Sequence, residues 1–166
     1  MMKNTIPALL SLSFAVSASP QVTAPELTQQ ITTQGAKTVI ANLYKDNEYQ
    51  WQYVLTNIGS GETSWLTVAS RLAPGSDADS AESLATAVAT AIPHNPAGVL
   101  TILKDGGLPL SIENVCSLPF YSIKKPEFNQ YIVESIQALY KVPNSKACID
   151  TIVNTIGQSN GFVEDN

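Results

Sequence analysis

Apolar residues recur along this chain with the spacing of an α-helix. In the segment 47–58, the residues at i, i+3, i+4 and i+7 are Trp51, Val54, Leu55 and Ile58. This spacing places their side chains on one helix face, as expected for a helix packed against a core. Strict alternation of apolar and polar residues, which would indicate a half-buried strand, is hardly present. The pattern therefore predicts an all-α protein.

The same spacing, bounded by Pro, Gly and capping residues, predicts seven or eight helical segments. They cover 25–44 with a break near Gly35, 47–58, 62–73, 77–92, 96–104, 111–117, 126–141 and 145–156. Every proline after residue 18 lies at a predicted boundary, because an internal proline removes a backbone donor and clashes with the preceding turn. We predict one helical domain over 19–157, a compact array of short antiparallel helices, and a flexible tail over 158–166.

Neighbouring segments are expected to pair as antiparallel hairpins. The expected pairs are 47–58 with 62–73, 77–92 with 96–104, and 126–141 with 145–156. The first two pairs start about 30 residues apart, a spacing typical of α-solenoids of the HEAT type. Because few residues repeat between the pairs, a compact irregular bundle remains an equal alternative.

The first eighteen residues have the features of an export signal. Lys3 gives a positively charged start, residues 6–18 form an apolar run, and Val16 and Ala18 are small residues where a signal peptidase reads. The run is shorter than the roughly 20 residues of a membrane-spanning helix. We predict a signal peptide over 1–18 and a periplasmic or secreted protein that is not inserted in the membrane. A buried amino-terminal helix is the alternative, and Pro7 disfavours it.

Export changes the interpretation of the two cysteines, Cys116 and Cys148. An even pair in an oxidising compartment favours a disulfide. The bond would close a loop of about 33 residues and stabilise the fold by roughly 3 kcal/mol through the entropy of the unfolded chain. A redox pair normally has the spacing C-x-x-C, which is not found here.

Composition excludes several classes of protein. Nine Lys and Arg residues face fourteen Asp and Glu residues, a formal net charge of −5, which argues against nucleic acid and anionic membranes as partners. One histidine and two cysteines provide almost no ligands for zinc or iron–sulfur clusters. We therefore expect no metal and no cofactor.

Few residues are candidates for catalysis. His94 lies in a tight link between two predicted helices, with no nucleophile or orienting acid marked by a motif. Asp77, Asp79 and Glu82 gather at a predicted helix start, where capping and the helix dipole explain them. A calcium loop would need a longer run of ligands with a glycine at its bend. We predict no catalytic residue, although paired carboxylates of an exported hydrolase remain an alternative.

An aromatic cluster near residue 50 is the candidate partner surface. Trp51 belongs to the apolar face of its helix, whereas Tyr49 and Tyr53 lie four residues apart on a different face. Exposed tyrosines provide a large contact area and a hydroxyl group, as anchors of protein interfaces do. Tyr44, Tyr49 and Tyr53 are therefore the partner-binding candidates. The alternative is that this helix is packed on two sides.

Several short stretches resemble small exported helical proteins of Gram-negative bacteria that have no assigned activity. These stretches are residues 60–72, Pro74 to Ala78, Pro93 to Pro96, Cys116, and Pro119 with Phe120. They cover about the central half of the chain and mark turns and helix ends. The resemblance implies a fold and a compartment, and it implies no catalytic residue.

Export, negative charge and the lack of catalytic motifs together favour a protein-binding module. The concrete hypothesis is an immunity-type inhibitor of an envelope-targeted toxin, with a partner protein that is basic and therefore steered by charge. An exported carboxylate-dependent hydrolase would need a deep pocket with two acidic side chains. An architectural or small-ligand-binding envelope protein would need an apolar cavity between helices.

Overall fold

The computed structural model describes residues 21–45, 47–104, 106, 109–120 and 124–158. Within these residues the chain forms nine α-helices and no strand, so the all-α prediction is confirmed. The helices are α1 Ala24–Gln34, α2 Ala36–Leu43, α3 Tyr49–Gly59, α4 Thr63–Leu72, α5 Ala78–Thr90, α6 Pro96–Ile102, α7 Ile112–Cys116, α8 Lys125–Leu139 and α9 Lys146–Gln158. A 3₁₀ turn, Ala73–Gly75, follows α4. The predicted signal peptide and residues 159–166 of the predicted tail lie outside the described residues.

The helix ends follow the local rules of capping. Thr23 and Glu26 form a capping box at the start of α1. Gly35, with a φ angle of 83°, ends α1 and begins α2. This glycine divides the first predicted segment into two helices. The described residues therefore contain nine helices, where the sequence predicted seven or eight.

From α3 onward, each helix packs on the helix two positions later in the chain. α3 packs on α5, α4 on α6, α5 on α7, α6 on α8, and α7 on α9. The expected hairpins α3–α4 and α8–α9 are also packed. The expected packing of α5 on α6 is not found as a main contact of either helix. α5 packs chiefly on α3 and α7, and α6 packs chiefly on α4 and α8. A HEAT-type solenoid stays a prediction.

A continuous apolar core joins all nine of these helices. Its largest fully buried side chains include Trp51, Leu27, Ile58, Leu66, Leu72 and Leu84. The 3₁₀ turn packs directly on the start of α2, since a Cβ atom added at Gly75 would lie 2.4 Å from the backbone nitrogen of Lys37. Close approach of backbone to backbone therefore fixes the position of α2 against the rest of the core.

A disulfide joins α7 to α9, which confirms the predicted cysteine pair. Cys116 is the last residue of α7, Cys148 lies in the first turn of α9, and their Cα atoms are 5.4 Å apart. Both cysteines are fully buried. Separately, none of the helices in the described part of the chain is long and apolar enough to cross a bilayer.

Candidate functional site: a cleft between two parallel helices

α3 and α5 lie side by side and run in the same direction. In the first half of each helix, the Trp51 Nε1–H group donates a hydrogen bond to Ser83 Oγ at 3.2 Å. At their carboxyl ends, a Cβ atom added at Gly59 would lie 3.3 Å from Cγ2 of Thr90 and 3.7 Å from the carbonyl oxygen of Ala87. Because Gly59 has no side chain and Ala87 a small one, the two backbones approach closely.

A cleft of about 750 Å³ lies along this helix pair, and it is here called the α3–α5 cleft. α3 contributes Gln52, Leu55, Thr56, Gly59 and Ser60. α5 contributes Asp79, Glu82, Ser83, Thr86, Ala87 and Thr90. Pro119 and Phe120 also line the cleft. On both helices the lining residues recur every three or four positions, so each helix presents a single stripe.

The surface of the cleft is more apolar than its residue types suggest. The hydroxyl groups of Thr56, Thr86 and Thr90 each donate to the carbonyl oxygen four residues earlier, at 2.9, 3.0 and 2.9 Å. These hydroxyls are therefore satisfied by their own helices. Leu55 and Phe120 add half-buried apolar side chains to the same surface. The cleft thus offers mainly methyl, aliphatic and aromatic groups to a ligand.

One side of the cleft is held in place by a hydrogen bond. The single hydroxyl hydrogen of Thr86 is shared between the Glu82 carbonyl oxygen and the Pro119 carbonyl oxygen, which lies 2.8 Å from Oγ1, and this contact ties the segment after α7 to α5. The Phe120 ring then packs edge-on against Tyr131 of α8, with ring centroids 4.7 Å apart. The side chain that lines the cleft here is consequently supported by a second helix.

Carboxylates give the cleft a negative charge. Asp79 and Glu82 are both exposed and lie one helical turn apart on α5, and none of the described residues that line the cleft is Lys, Arg or His. Asp79 Oδ2 accepts a hydrogen bond from the hydroxyl of Tyr44 at 2.7 Å. This end of the cleft would attract a cationic group.

Two of the candidate tyrosines are engaged within the fold. Tyr44 stacks on Trp51, with ring centroids 5.2 Å apart, and its burial together with its hydrogen bond to Asp79 raises its pKa. Tyr53 is half-buried and meets the ring of Trp65 edge-on at 5.9 Å. Both rings therefore contribute to helix packing.

Tyr49 has a different environment, because 60% of its surface is exposed. It lies at the start of α3, three residues before Gln52 and seven before Thr56, and hence at one end of the stripe that lines the cleft. A partner-binding role stays a prediction for all three tyrosines.

The residues considered for catalysis lie in turns and caps. His94 is exposed in the turn between α5 and α6. In the same turn, Asn95 caps α6 and donates to the Gly61 carbonyl oxygen at 2.8 Å. Asp77 caps α5 and accepts a hydrogen bond from the Ser80 N–H, and the hydrogen bonds from Ser80 lower the pKa of Asp77. The capping interpretation of Asp77 is confirmed.

The cleft is suited to recognition by shape and charge. All Asp and Glu residues in the described part of the chain are exposed, whereas a carboxyl that acts as a general acid is commonly buried so that its pKa rises. The same part of the chain contains no cluster of His, Cys, Asp and Glu able to hold a metal ion. The hydrolase alternative therefore gains no support from the cleft.

Sequence patterns alone did not identify the cleft. Its lining stripe on α5 consists of small and polar residues that repeat at helical spacing, Asp79, Glu82, Ser83, Thr86, Ala87 and Thr90. Such a stripe predicts an exposed helix face and leaves open which helix lies beside it. Comparison of the chain with protein-family models, with curated proteins and with solved structures finds no match.

Proposed function

We propose that this chain is an exported protein-binding module that holds a segment of a basic partner protein in the α3–α5 cleft. The observation that carries the proposal is the composition of the cleft: an apolar surface with two exposed carboxylates at one end and, among its described lining residues, no cationic side chain. A partner segment with apolar side chains followed by Lys or Arg would complement both parts.

The cleft is large enough to hold several side chains of a partner. Its volume of about 750 Å³ is within the range of roughly 300 to 1,000 Å³ typical of small-molecule sites, so the volume fits the small-ligand alternative as well, and the two carboxylates are what favour a basic protein segment. Interfaces draw most of their binding energy from a few anchor side chains that fill such depressions. Tyr49, largely exposed at the end of the same stripe, would extend the contact area beyond the cleft.

The disulfide supports an extracytoplasmic location. Disulfides persist in oxidising compartments and are rare in the reducing cytosol. The Cys116–Cys148 bond agrees with the predicted signal peptide. The concrete form of the proposal is an immunity-type inhibitor that binds a toxin in the cell envelope.

Site-specific cross-linking in the producing cells tests the proposal. Gln52 of the cleft is replaced by the photo-reactive residue p-benzoylphenylalanine, and the exposed Thr67 of α4 is replaced in a control strain. We expect a discrete protein adduct from position 52 and none from position 67. Because the attraction is electrostatic in part, the adduct should weaken as salt rises. Equal adducts at the two positions, or none at position 52, would reject the proposal.

The inhibitor form of the proposal is tested on the adduct itself. Mass spectrometry identifies the partner, which is then assayed for enzymatic activity with and without the purified chain. An envelope-degrading enzyme that loses activity on addition of the chain supports inhibition. If the partner has no such activity, the proposed binding function stands and the proposal of an inhibitor is rejected.

A further inference from the structure

We infer that the segment held by the cleft is an amphipathic α-helix that runs antiparallel to α3 and α5, with basic residues in its last turn. The inference rests on the proposed function, because it takes the α3–α5 cleft to be the binding surface. It adds the secondary structure, direction and charge pattern of the partner segment.

The backbone of the cleft favours a helix over an extended segment. Both long sides of the cleft are helices, whose internal N–H and C=O groups are bonded within the helix. The Pro119 carbonyl oxygen already accepts a hydrogen bond from Thr86. An extended segment would therefore enter the cleft with few partners for its own backbone groups, whereas a helix brings these groups already satisfied.

The dimensions of the cleft agree with a helix of about three turns. The lining stripe on α5 runs from Asp79 to Thr90, a length of roughly 16 Å at 1.5 Å per residue. Gly59 and Ala87 leave little side-chain volume where the two helices meet. A third helix can approach such a surface closely with small or aliphatic side chains.

Within the fold, α3 already has an antiparallel helix beside it. α4 packs on both α3 and α5, and it runs back along α3 after the short turn at Ser60 to Glu62. Because α3 and α5 are parallel, their dipoles are aligned unfavourably, and an antiparallel neighbour offsets this. A partner helix that runs antiparallel in the cleft would have the same direction as α4.

Direction and charge then follow from the acidic end of the cleft. Asp79 and Glu82 lie in the first half of α5, so an antiparallel helix brings its carboxyl-terminal turn next to them. Lys or Arg in that turn would interact favourably with its own helix dipole and with both carboxylates. In the antiparallel direction the negative end of the partner's dipole faces the carboxylates, so Lys or Arg in the last turn is required for a favourable contact at this end of the cleft.

Selection from two displayed peptide libraries tests the inference on the full chain. One library randomises the outer face of a stable helical scaffold, and the other consists of linear peptides with prolines that prevent helix formation. We expect enrichment from the helical library, with Lys or Arg in the last turn of the selected helices. Enrichment only from the linear library, basic residues only in the first turn, or no enrichment at all would overturn the inference.

Paired variants show whether the selected helices occupy the cleft. Thr56→Trp fills the cleft, and Thr67→Trp is its control, because both threonines are exposed and donate to the carbonyl oxygen four residues earlier at 2.9 Å. Glu82→Lys reverses the charge of a carboxylate that lines the cleft. Its control is Glu134→Lys, which makes the same change at an exposed position of α8 outside the cleft. We expect at least tenfold weaker binding for each cleft variant and less than twofold change for each control. Equal effects within a pair would overturn the inference.

The outcome is separable from that of the proposed function. If position 52 yields a cross-linked partner but the selection enriches extended peptides, the proposed binding function stands and the inference of a helical partner segment is rejected. Circular dichroism of each variant confirms that its helices are formed, so that a loss of binding reports on the cleft.

Discussion

The region from α1 to α5 and the region from α7 to α9 keep their helices together by different means. In the first region, Trp51 and Trp65 are buried, Tyr44 and Tyr53 pack on these two rings, and Gly75 allows backbone contact with α2. In the second region, a covalent bond joins α7 to α9.

The difference is related to helix length. α7 has only five residues, the fewest of the α-helices in the described part of the chain, and a helix of little more than one turn has almost no stability in isolation. α3 and α5 have 11 and 13 residues and bury several side chains each. The disulfide therefore ties the five-residue α7 to the 13-residue α9, whereas α3 and α5 are joined by the close packing of their side chains and backbones.

Of the three changes considered, removal of the disulfide should lower the unfolding free energy the most. We expect the double variant Cys116→Ser, Cys148→Ser to lose about 3 kcal/mol of unfolding free energy, because the unfolded chain gains the freedom of the open loop. Hydrogen exchange should rise more in α7 and α9 than in α3 and α5. The reduced wild-type chain is the control, and it should show the same loss of unfolding free energy and the same pattern of hydrogen exchange as the double variant. Equal loss of protection in both regions would contradict the comparison.

A methyl group in the first region should have the next largest effect. Gly75→Ala places a Cβ atom 2.4 Å from the Lys37 nitrogen and 2.6 Å from the Ala36 Cβ, and such overpacking costs about 2 kcal/mol. Gly157→Ala, in α9, meets no atom within 4 Å and should be neutral or stabilising by roughly 0.5 kcal/mol. Denaturant unfolding measures both. A Gly75→Ala chain as stable as its control would show that α2 is not fixed by backbone contact.

Protonation of Asp77 at low pH should lower the unfolding free energy the least, and it should weaken the start of α5 in the first region. The hydrogen bonds from Ser80 lower the pKa of Asp77 below its ordinary value of 3.8. The stabilisation is therefore present above pH 3.8 and is lost as the pH falls through the lower value in the folded state. Thermal unfolding between pH 6 and pH 2 should show this loss, and Asp77→Asn should reduce it. An unchanged pH profile in the variant would contradict the role of this cap.

Much of the fold could be predicted from local signals. Pro96 and Pro126 mark the starts of α6 and α8 within one residue, and Asp77 marks the cap of α5. These residues act within one or two turns of backbone, so their meaning does not depend on distant contacts. The cysteine pair was predictable for a different reason, since two cysteines allow only one intramolecular bond.

The cleft depends on long-range neighbours and could not be predicted in the same way. The Tyr44 hydroxyl reaches Asp79 across 35 residues of sequence, and Thr86 reaches Pro119 across 33. Spacing assigned the tyrosines near residue 50 to helix faces without showing which faces other helices cover. It also favoured a hairpin of α5 with α6, whereas the small residues Gly59 and Ala87 allow α3 to lie beside α5.

The disulfide also makes a covalent ring of residues 116–148, and this ring contains all of α8. A protease that cuts one peptide bond inside the ring leaves both products joined through sulfur. α9 then cannot diffuse away from the preceding helices until the cystine is reduced as well. A single proteolytic nick in this part of the chain therefore yields a cut but undivided molecule.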